Sequence, residues 1–255
     1  MNFIFTKMGA CVLRIRKNVL KIPYNWGGWK ESVREKKRLR EALTDPFFKE
    51  FIPPYTFFGP VKRTIYLECL NQNQDILIES YFKRAFADRG KWRMEKINEL
   101  IEFTSLAKFV NLYFKSNFLN LMNSLSMPLS SAHGDFYQEN ILNDGEKLFF
   151  IDWSNFNFKS SRYFDLIDYY LYNKNSSWIS EFKNSLRSSI LNNKLKEILG
   201  EELPGDYFLS FAIWKSAKEI REMYDFKKLN REKIKKYVTF FEFLLNYYDK
   251  LSIIN

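Results

Sequence analysis

A histidine, a glycine, two carboxylates and an amide follow one another in an order that phosphoryl transfer can use. His133-Gly134-Asp135 is followed by Asn140, and then by the apolar run Leu148-Phe149-Phe150-Ile151 that ends in Asp152-Trp153. A carboxylate such as Asp135 can accept a hydrogen bond from an attacking hydroxyl and align it on a γ-phosphorus. An amide and a second carboxylate, Asn140 and Asp152, are oxygen donors of the kind that hold magnesium on nucleotide phosphates. Between them Asn143-Asp144-Gly145-Glu146 has the composition of a tight turn. A loop and then a hairpin are therefore expected, delivering Asp152 beside Asn140. Positioning and charge stabilisation supply most of the rate in such a site. His133 is the only histidine of the chain. Two residues before the base, it is expected to hold the loop by a hydrogen bond rather than to move a proton.

At these residues the sequence resembles the aminoglycoside phosphotransferase and choline kinase family, protein-kinase-like enzymes that phosphorylate small molecules. The family pattern H-G-D-x-x-x-x-N, followed about ten residues on by I-D-[WFYL], is met by His133, Gly134, Asp135, Asn140, Ile151, Asp152 and Trp153. The aspartate of the family's D-L segment, which opens a helix, falls on Asp165 in Arg162-Tyr163-Phe164-Asp165-Leu166-Ile167. The resemblance implies an α+β, bilobal protein-kinase-like fold. Residues 1–82 would form a small antiparallel-sheet lobe with one helix that binds nucleotide, and residues 83–255 a larger, mainly helical catalytic and substrate-binding lobe. It implies ATP and Mg2+ as cofactors and transfer of the γ-phosphate to a hydroxyl of a small molecule or glycan. Asp135 is then the catalytic base, Asn140 and Asp152 are the metal ligands, and His133 and Asp165 give structural support.

The resemblance also makes demands upstream. Cys11 to Ile15 and Val19 to Ile22 are β-rich runs joined by Arg16-Lys17-Asn18, a hairpin pattern. Lys21, in Val-Leu-Lys-Ile-Pro, looks like the strand lysine that contacts the α- and β-phosphates. Glu31 to Leu43 is rich in helix formers and is stopped by Asp45-Pro46. Glu35, in an E-x-x-x-L frame with Leu39, is the expected partner of Lys21, with Glu31 and Glu41 as rivals. Thr64 to Leu70 alternates as a strand does. Ile76 to Phe82 resembles the family's last small-lobe strand and hinge, where the Glu79 C=O and the Tyr81 N–H would read the adenine edge. The pattern departs from its relatives at two places. The first strand pair offers only Gly9 where a glycine-rich phosphate loop often stands, and Ser154 follows Ile151-Asp152-Trp153 where some relatives carry an acid. Both departures favour the alternative of a catalytically silent, kinase-like binding protein.

The rest of the chain is compatible with this reading. With 255 residues, 46% of them hydrophobic, it can bury a sizeable core in two lobes. Residues 92–125 and 178–252 read as helices, the latter split at Leu203-Pro204-Gly205, and there is no internal repeat. No run approaches the roughly 20 apolar residues of a membrane span. Lys7 interrupts the apolar start before a signal-peptide core can form. Cys11 and Cys69, both in expected strands, suggest neither a disulfide framework nor a metal site. A cytoplasmic location is expected.

The formal net charge is +10, and Lys30, Arg34, Lys36, Lys37, Arg38 and Arg40 crowd the helix that follows Trp26-Gly27-Gly28-Trp29. Tryptophans beside a basic helix resemble an interfacial anchor on an anionic membrane surface. A lipopolysaccharide-core sugar kinase at the inner membrane face is therefore an alternative reading. Nucleic acid is not expected as a partner, because no recognition motif accompanies the charge. Polycationic aminoglycosides suit a basic chain less well, although Glu219, Glu222 and Asp225 are local acidic groups.

Overall fold

The computed structural model describes residues 2–6, 8–65, 67–69, 75–101, 103–113, 116–188, 190–225 and 230–254. Lys7, Leu70 and Phe114, which the sequence readings touch, lie outside the described residues. The chain divides into two compact units, Met1–Ala85 with Ser131–Phe158 and Phe86–Ser130 with Lys159–Asn255.

The first unit is built on five antiparallel strands: β1 (Asn2–Phe5), β2 (Ala10–Ile15), β3 (Asn18–Pro23), β4 (Tyr55–Phe58) and β5 (Val61–Ile65), in the order β1-β2-β3-β5-β4. The β2–β3 hairpin is the expected one. Ile15 pairs with Asn18 and Val12 with Lys21, and Arg16 takes a positive φ of 54° in the turn. Helix α1 (Trp26–Thr44) follows and ends at Asp45, as expected from Asp45-Pro46.

Its start differs from the sequence reading. The helix begins at Trp26 rather than Glu31, running through Gly27-Gly28, although glycine costs roughly 1 kcal/mol in a helix interior. Packing supplies the reason. Asn25 caps the helix by accepting from Gly28 N at 2.9 Å. A Cβ on Gly28 would sit 2.0 Å from the Gly9 carbonyl oxygen, and one on Gly9 1.9 Å from Asn25 Oδ1. Tyr24 N also donates to Gly9 O at 3.0 Å. The bare backbones of Gly9 and Gly28 let the helix start lie directly against the β1–β2 turn.

Strand β6 (Glu68–Cys69) pairs antiparallel with Ile141–Asn143, which forms a hairpin with Leu148–Phe150. That hairpin turns as expected: Asp144 Oδ1 accepts from Glu146 N at 3.1 Å and Lys147 N at 2.8 Å, and Asn143 Oδ1 accepts from Gly145 N at 3.1 Å.

One expected strand is a helix. Ile76 to Phe82 lies within α2 (Asp75–Ala85). The Glu79 carbonyl and the Tyr81 amide belong to helical backbone, which uses such groups in its own hydrogen-bond ladder. An extended hinge reading an adenine edge is not formed there. Ile78, Tyr81, Phe82 and Ala85 are buried, a helical spacing that outweighs the short β-branched run at the segment's start. Tyr81 packs on Phe47, Phe51, Phe82, Phe136 and Phe150, with centroids 5.0 to 5.6 Å apart.

The second unit is mainly helical and includes a short antiparallel pair, Met94–Lys96 and Ser126–Pro128. Its helices include Phe103–Tyr113, Ser116–Ser124, Arg162–Leu171, Gly205–Asp225 and Arg231–Ile254. Stacked and tilted rings fill its core, among them Phe164 on Trp214 at 4.8 Å and Phe118 on Phe241 at 4.6 Å. Within that core Lys215 Nζ donates to both oxygens of Asp168, at 2.7 and 2.5 Å. No described helix is long and apolar enough to cross a membrane.

Candidate active site

Every sequence-predicted site residue except Asp165 lies in the first unit. Lys21 on β3 donates from Nζ to Glu35 Oε2 at 2.9 Å, and the same nitrogen stands 3.6 Å from Asp152 Oδ2. Glu35 is thus the α1 carboxylate that meets Lys21. Its rivals pair elsewhere on the helix, Glu31 with Arg34 at 2.6 Å and Glu41 with Arg38 at 2.9 Å.

Burial alone would lower the Lys21 pKa, but Asp152 and Glu35 outweigh it and hold the ammonium charged well above the ordinary lysine range. Burial would raise Glu35, which is only 1% exposed, yet Lys21 and Lys62 keep its carboxyl below the usual value. For Asp152 burial again opposes ionisation, and Lys21 overcomes it against the neighbouring Asp135 charge.

The loop from His133 to Asn140 is held by its own side chains. Asn140 Nδ2 donates to the Asp135 carbonyl at 2.9 Å and to Asp135 Oδ2 at 3.3 Å. Gly134 takes φ +80°, and a Cβ there would lie 2.4 Å from the Asn155 carbonyl oxygen, so only glycine lets the loop pass that close. The buried His133 bonds the Ile151 carbonyl through Nε2 at 3.0 Å, tying the loop to the strand that carries Asp152. Ile151 N donates to Asn140 O at 3.0 Å, and Trp153 Nε1 to Phe150 O at 2.8 Å.

Asp152 itself adopts a left-handed conformation, φ 59° and ψ 62°. For a residue with a Cβ this costs on the order of 1–2 kcal/mol, strain of a kind that concentrates at functional sites. Ser154 Oγ donates to Asp152 Oδ1 at 3.0 Å, so one oxygen is held by the hydroxyl while the other faces Lys21.

Two residues at this site escaped the sequence reading. Lys62 is buried on β5 directly opposite Lys21 on β3, and its ammonium also binds Glu35. Its signal was available only through the strand pairing. Tyr137, next but one to Asp135, has its hydroxyl bonded to Asn140, and burial together with Asp135 and Asp152 pushes it well above the ordinary tyrosine range. Asp165 is buried in the first turn of the second unit's Arg162–Leu171 helix, as the D-L segment implied.

Among the described residues no group of three or more His, Cys, Asp or Glu side chains is placed to hold a metal. The donor set nonetheless fits magnesium on a nucleotide. One carboxylate and one amide oxygen suffice where phosphates and water complete the shell, and the Asp152 carboxyl is held below its usual range, in the ionised form such an ion would require.

No protein-family model matches this chain, and no curated protein matches it in sequence. Solved structures do match. A choline kinase, LicA from Streptococcus pneumoniae, aligns over 95% of this chain and 91% of its own at 14% identity, with a TM-score of 0.55. A choline/ethanolamine kinase family protein from Mesorhizobium loti aligns over 96% and 87% at 13% identity, with a TM-score of 0.53. The aminoglycoside phosphotransferase APH(2'')-IIa, in a complex with streptomycin and ATP, aligns over 88% of each chain at 14% identity, with a TM-score of 0.54. The chain has the fold of these kinases. It is an α+β, protein-kinase-like architecture with a small antiparallel sheet towards the N-terminus and a mostly helical C-terminal part.

Proposed function

We propose that this chain is an ATP-dependent phosphotransferase that moves the γ-phosphate of ATP to a hydroxyl of a small molecule or glycan. The observation that carries this reading is the chain of contacts from Glu35 through Lys21 to Asp152, within one unit that also holds Asp135 and Asn140. Residues 1–82 serve as the nucleotide-binding lobe and 83–255 as the catalytic and acceptor-binding lobe. Lys21, kept charged and oriented by Glu35, contacts the α- and β-phosphates. Asn140 and Asp152 would hold Mg2+, which when bound neutralises charge on the phosphates. Asp135, fixed by Asn140, accepts the hydrogen bond of the acceptor hydroxyl and aims its oxygen at phosphorus. With α2 removed as a hinge, the extended backbone of β6, which follows β5 in the chain, is the candidate for reading the adenine edge. The structural neighbours are kinases and phosphotransferases, some of them with ATP, ADP, streptomycin or gentamicin bound, and they support the reaction class. We place the protein in the cytoplasm at the anionic inner face of a membrane, on the strength of its net charge of +10.

The test is ATP consumption against a panel of hydroxyl acceptors. Asp135→Asn is expected to leave fold and nucleotide binding intact and to lower turnover by ~10² to 10⁴-fold. Undiminished turnover in that variant would remove Asp135 from the mechanism.

A further inference from the structure

The outward side of α1 carries a surface that the phosphoryl-transfer site does not use. At about 100° per residue, Trp26, Trp29, Lys30, Val33, Lys37 and Arg40 fall within an arc of about 100° along roughly 21 Å of helix, opposite Glu35. All six are exposed. Trp26 and Trp29 stack with centroids 5.1 Å apart and planes at 5°, and Lys30 Nζ lies 5.7 Å from the Trp26 ring. Their mutual contact leaves them 65% and 42% exposed. Just before the helix Tyr24 meets Phe5 edge-on at 5.6 Å, and both rings are exposed.

The charge on this face is not neutralised. The carboxylates of α1 are engaged elsewhere: Glu31 with Arg34, Glu35 with Lys21 and Lys62, Glu41 with Arg38. Among the described residues Lys30, Lys37 and Arg40 have no carboxylate within ion-pair distance. Indoles and a valine are thus interleaved with free cations on one stripe.

We propose that this stripe docks the protein on an anionic lipid bilayer, with α1 lying along the surface, its indoles at headgroup depth and its cations on lipid phosphates. The proposal rests on the membrane location given in the functional reading and not on catalysis. Amphipathic rings favour the headgroup layer, and long basic side chains can bury their stems while their charged ends stay in water. A second copy of the chain suits the stripe poorly, because a twofold contact would set its cations against themselves. Nucleic acid also fits less well. The indoles already cover each other's faces, and Val33 offers nothing to a phosphate backbone.

The experiment is co-sedimentation of the full chain, without nucleotide, with vesicles of phosphatidylcholine alone or mixed with phosphatidylglycerol. Binding is expected only to the anionic vesicles and is expected to weaken as salt rises. Neutralising three cations in Lys30→Gln/Lys37→Gln/Arg40→Gln should weaken it about 100-fold, and Trp26→Ala/Trp29→Ala about tenfold or more. Thermal stabilisation by ATP, measured in parallel, should be the same in both variants, so that the two readings fail separately. Vesicle binding without nucleotide stabilisation would support the docking surface and sink the kinase reading. No binding to phosphatidylglycerol vesicles, equal binding to phosphatidylcholine, or a dimer or RNA complex abolished by the same substitutions would overturn the docking surface.

Discussion

Two lysines share one carboxylate at the centre of the first unit. Lys21 and Lys62 are direct cross-strand partners, a like-charged arrangement that is ordinarily destabilising, and Glu35 bridges both ammonium groups. Their tasks differ, because only Lys21 also reaches Asp152. Lys21→Met is therefore expected to lower kcat/KM for ATP by on the order of 100-fold or more. Lys62→Met should act mainly on stability, with the KM for ATP changed less than about threefold, since the Lys21–Glu35 pair survives. Equal kinetic losses would mean that both lysines touch phosphate. Removing Glu35 leaves Lys62 without its carboxylate and Lys21 with Asp152 alone, so Glu35→Gln should cost about 3–5 kcal/mol near neutral pH. Its pH dependence has a definite sign. The folded pKa lies below the unfolded value of about 4.3, so the stabilisation is complete above that value and disappears as pH falls through the folded one. Urea midpoints of wild type and Glu35→Gln should stay apart from pH 7 down to about 4.3 and draw together below it, and curves that stay parallel on further acidification would contradict the ion triad.

At the scale of elements, α1 carries Glu35 and reaches its place through the contact of Gly28 with Gly9. An alanine in a helix normally gains roughly 1 kcal/mol over glycine. Gly28→Ala should do the reverse, losing about 2 kcal/mol or more and raising the KM for ATP as the helix start shifts, because its Cβ would lie 2.0 Å from backbone. Gly90→Ala, where a Cβ meets nothing within 4 Å, is the control. A neutral Gly28→Ala would show that the helix start is not fixed by this contact. The same element marks the boundary of what sequence conveys. The β2–β3 hairpin and the Asp144-Gly145 turn were legible because local turn chemistry specifies them, whereas the choice of Glu35 over Glu31 and Glu41 as the partner of Lys21 came only with the fold. The start of α1 was not, since only a distant backbone makes Gly27-Gly28 acceptable in a helix. Lys62 was hidden for a similar reason, its role arising from a strand partner remote in sequence. The α2 segment was misread because Ile76-Leu77-Ile78 has strand character, while the decisive spacing of Ile78, Tyr81, Phe82 and Ala85 extends past it.

At the scale of the molecule, the residues that would meet nucleotide come from distant parts of the chain but share one compact unit. Strand β3, helix α1 and the segment Ser131–Phe158 are tied by the Lys21 contacts and by the His133 bond to Ile151. Binding at that cluster should stabilise all three together, because a ligand that binds only the folded form suppresses the openings that expose its site. Hydrogen exchange with and without ATP and magnesium measures this directly. Amides of β2, β3, α1 and the Ile141–Phe150 hairpin should slow in concert, by up to about 100-fold at a ligand concentration 100 times Kd. Those of the Gly205–Asp225 and Arg231–Ile254 helices, which contribute none of the proposed nucleotide contacts, should change much less. Asp152→Ala, which removes the carboxylate facing Lys21, should abolish the protection in all three segments at once. Protection confined to residues before Ala85 would mean that the His133–Trp153 segment does not meet the nucleotide, and the assignment of Asn140 and Asp152 as metal ligands would fall with it.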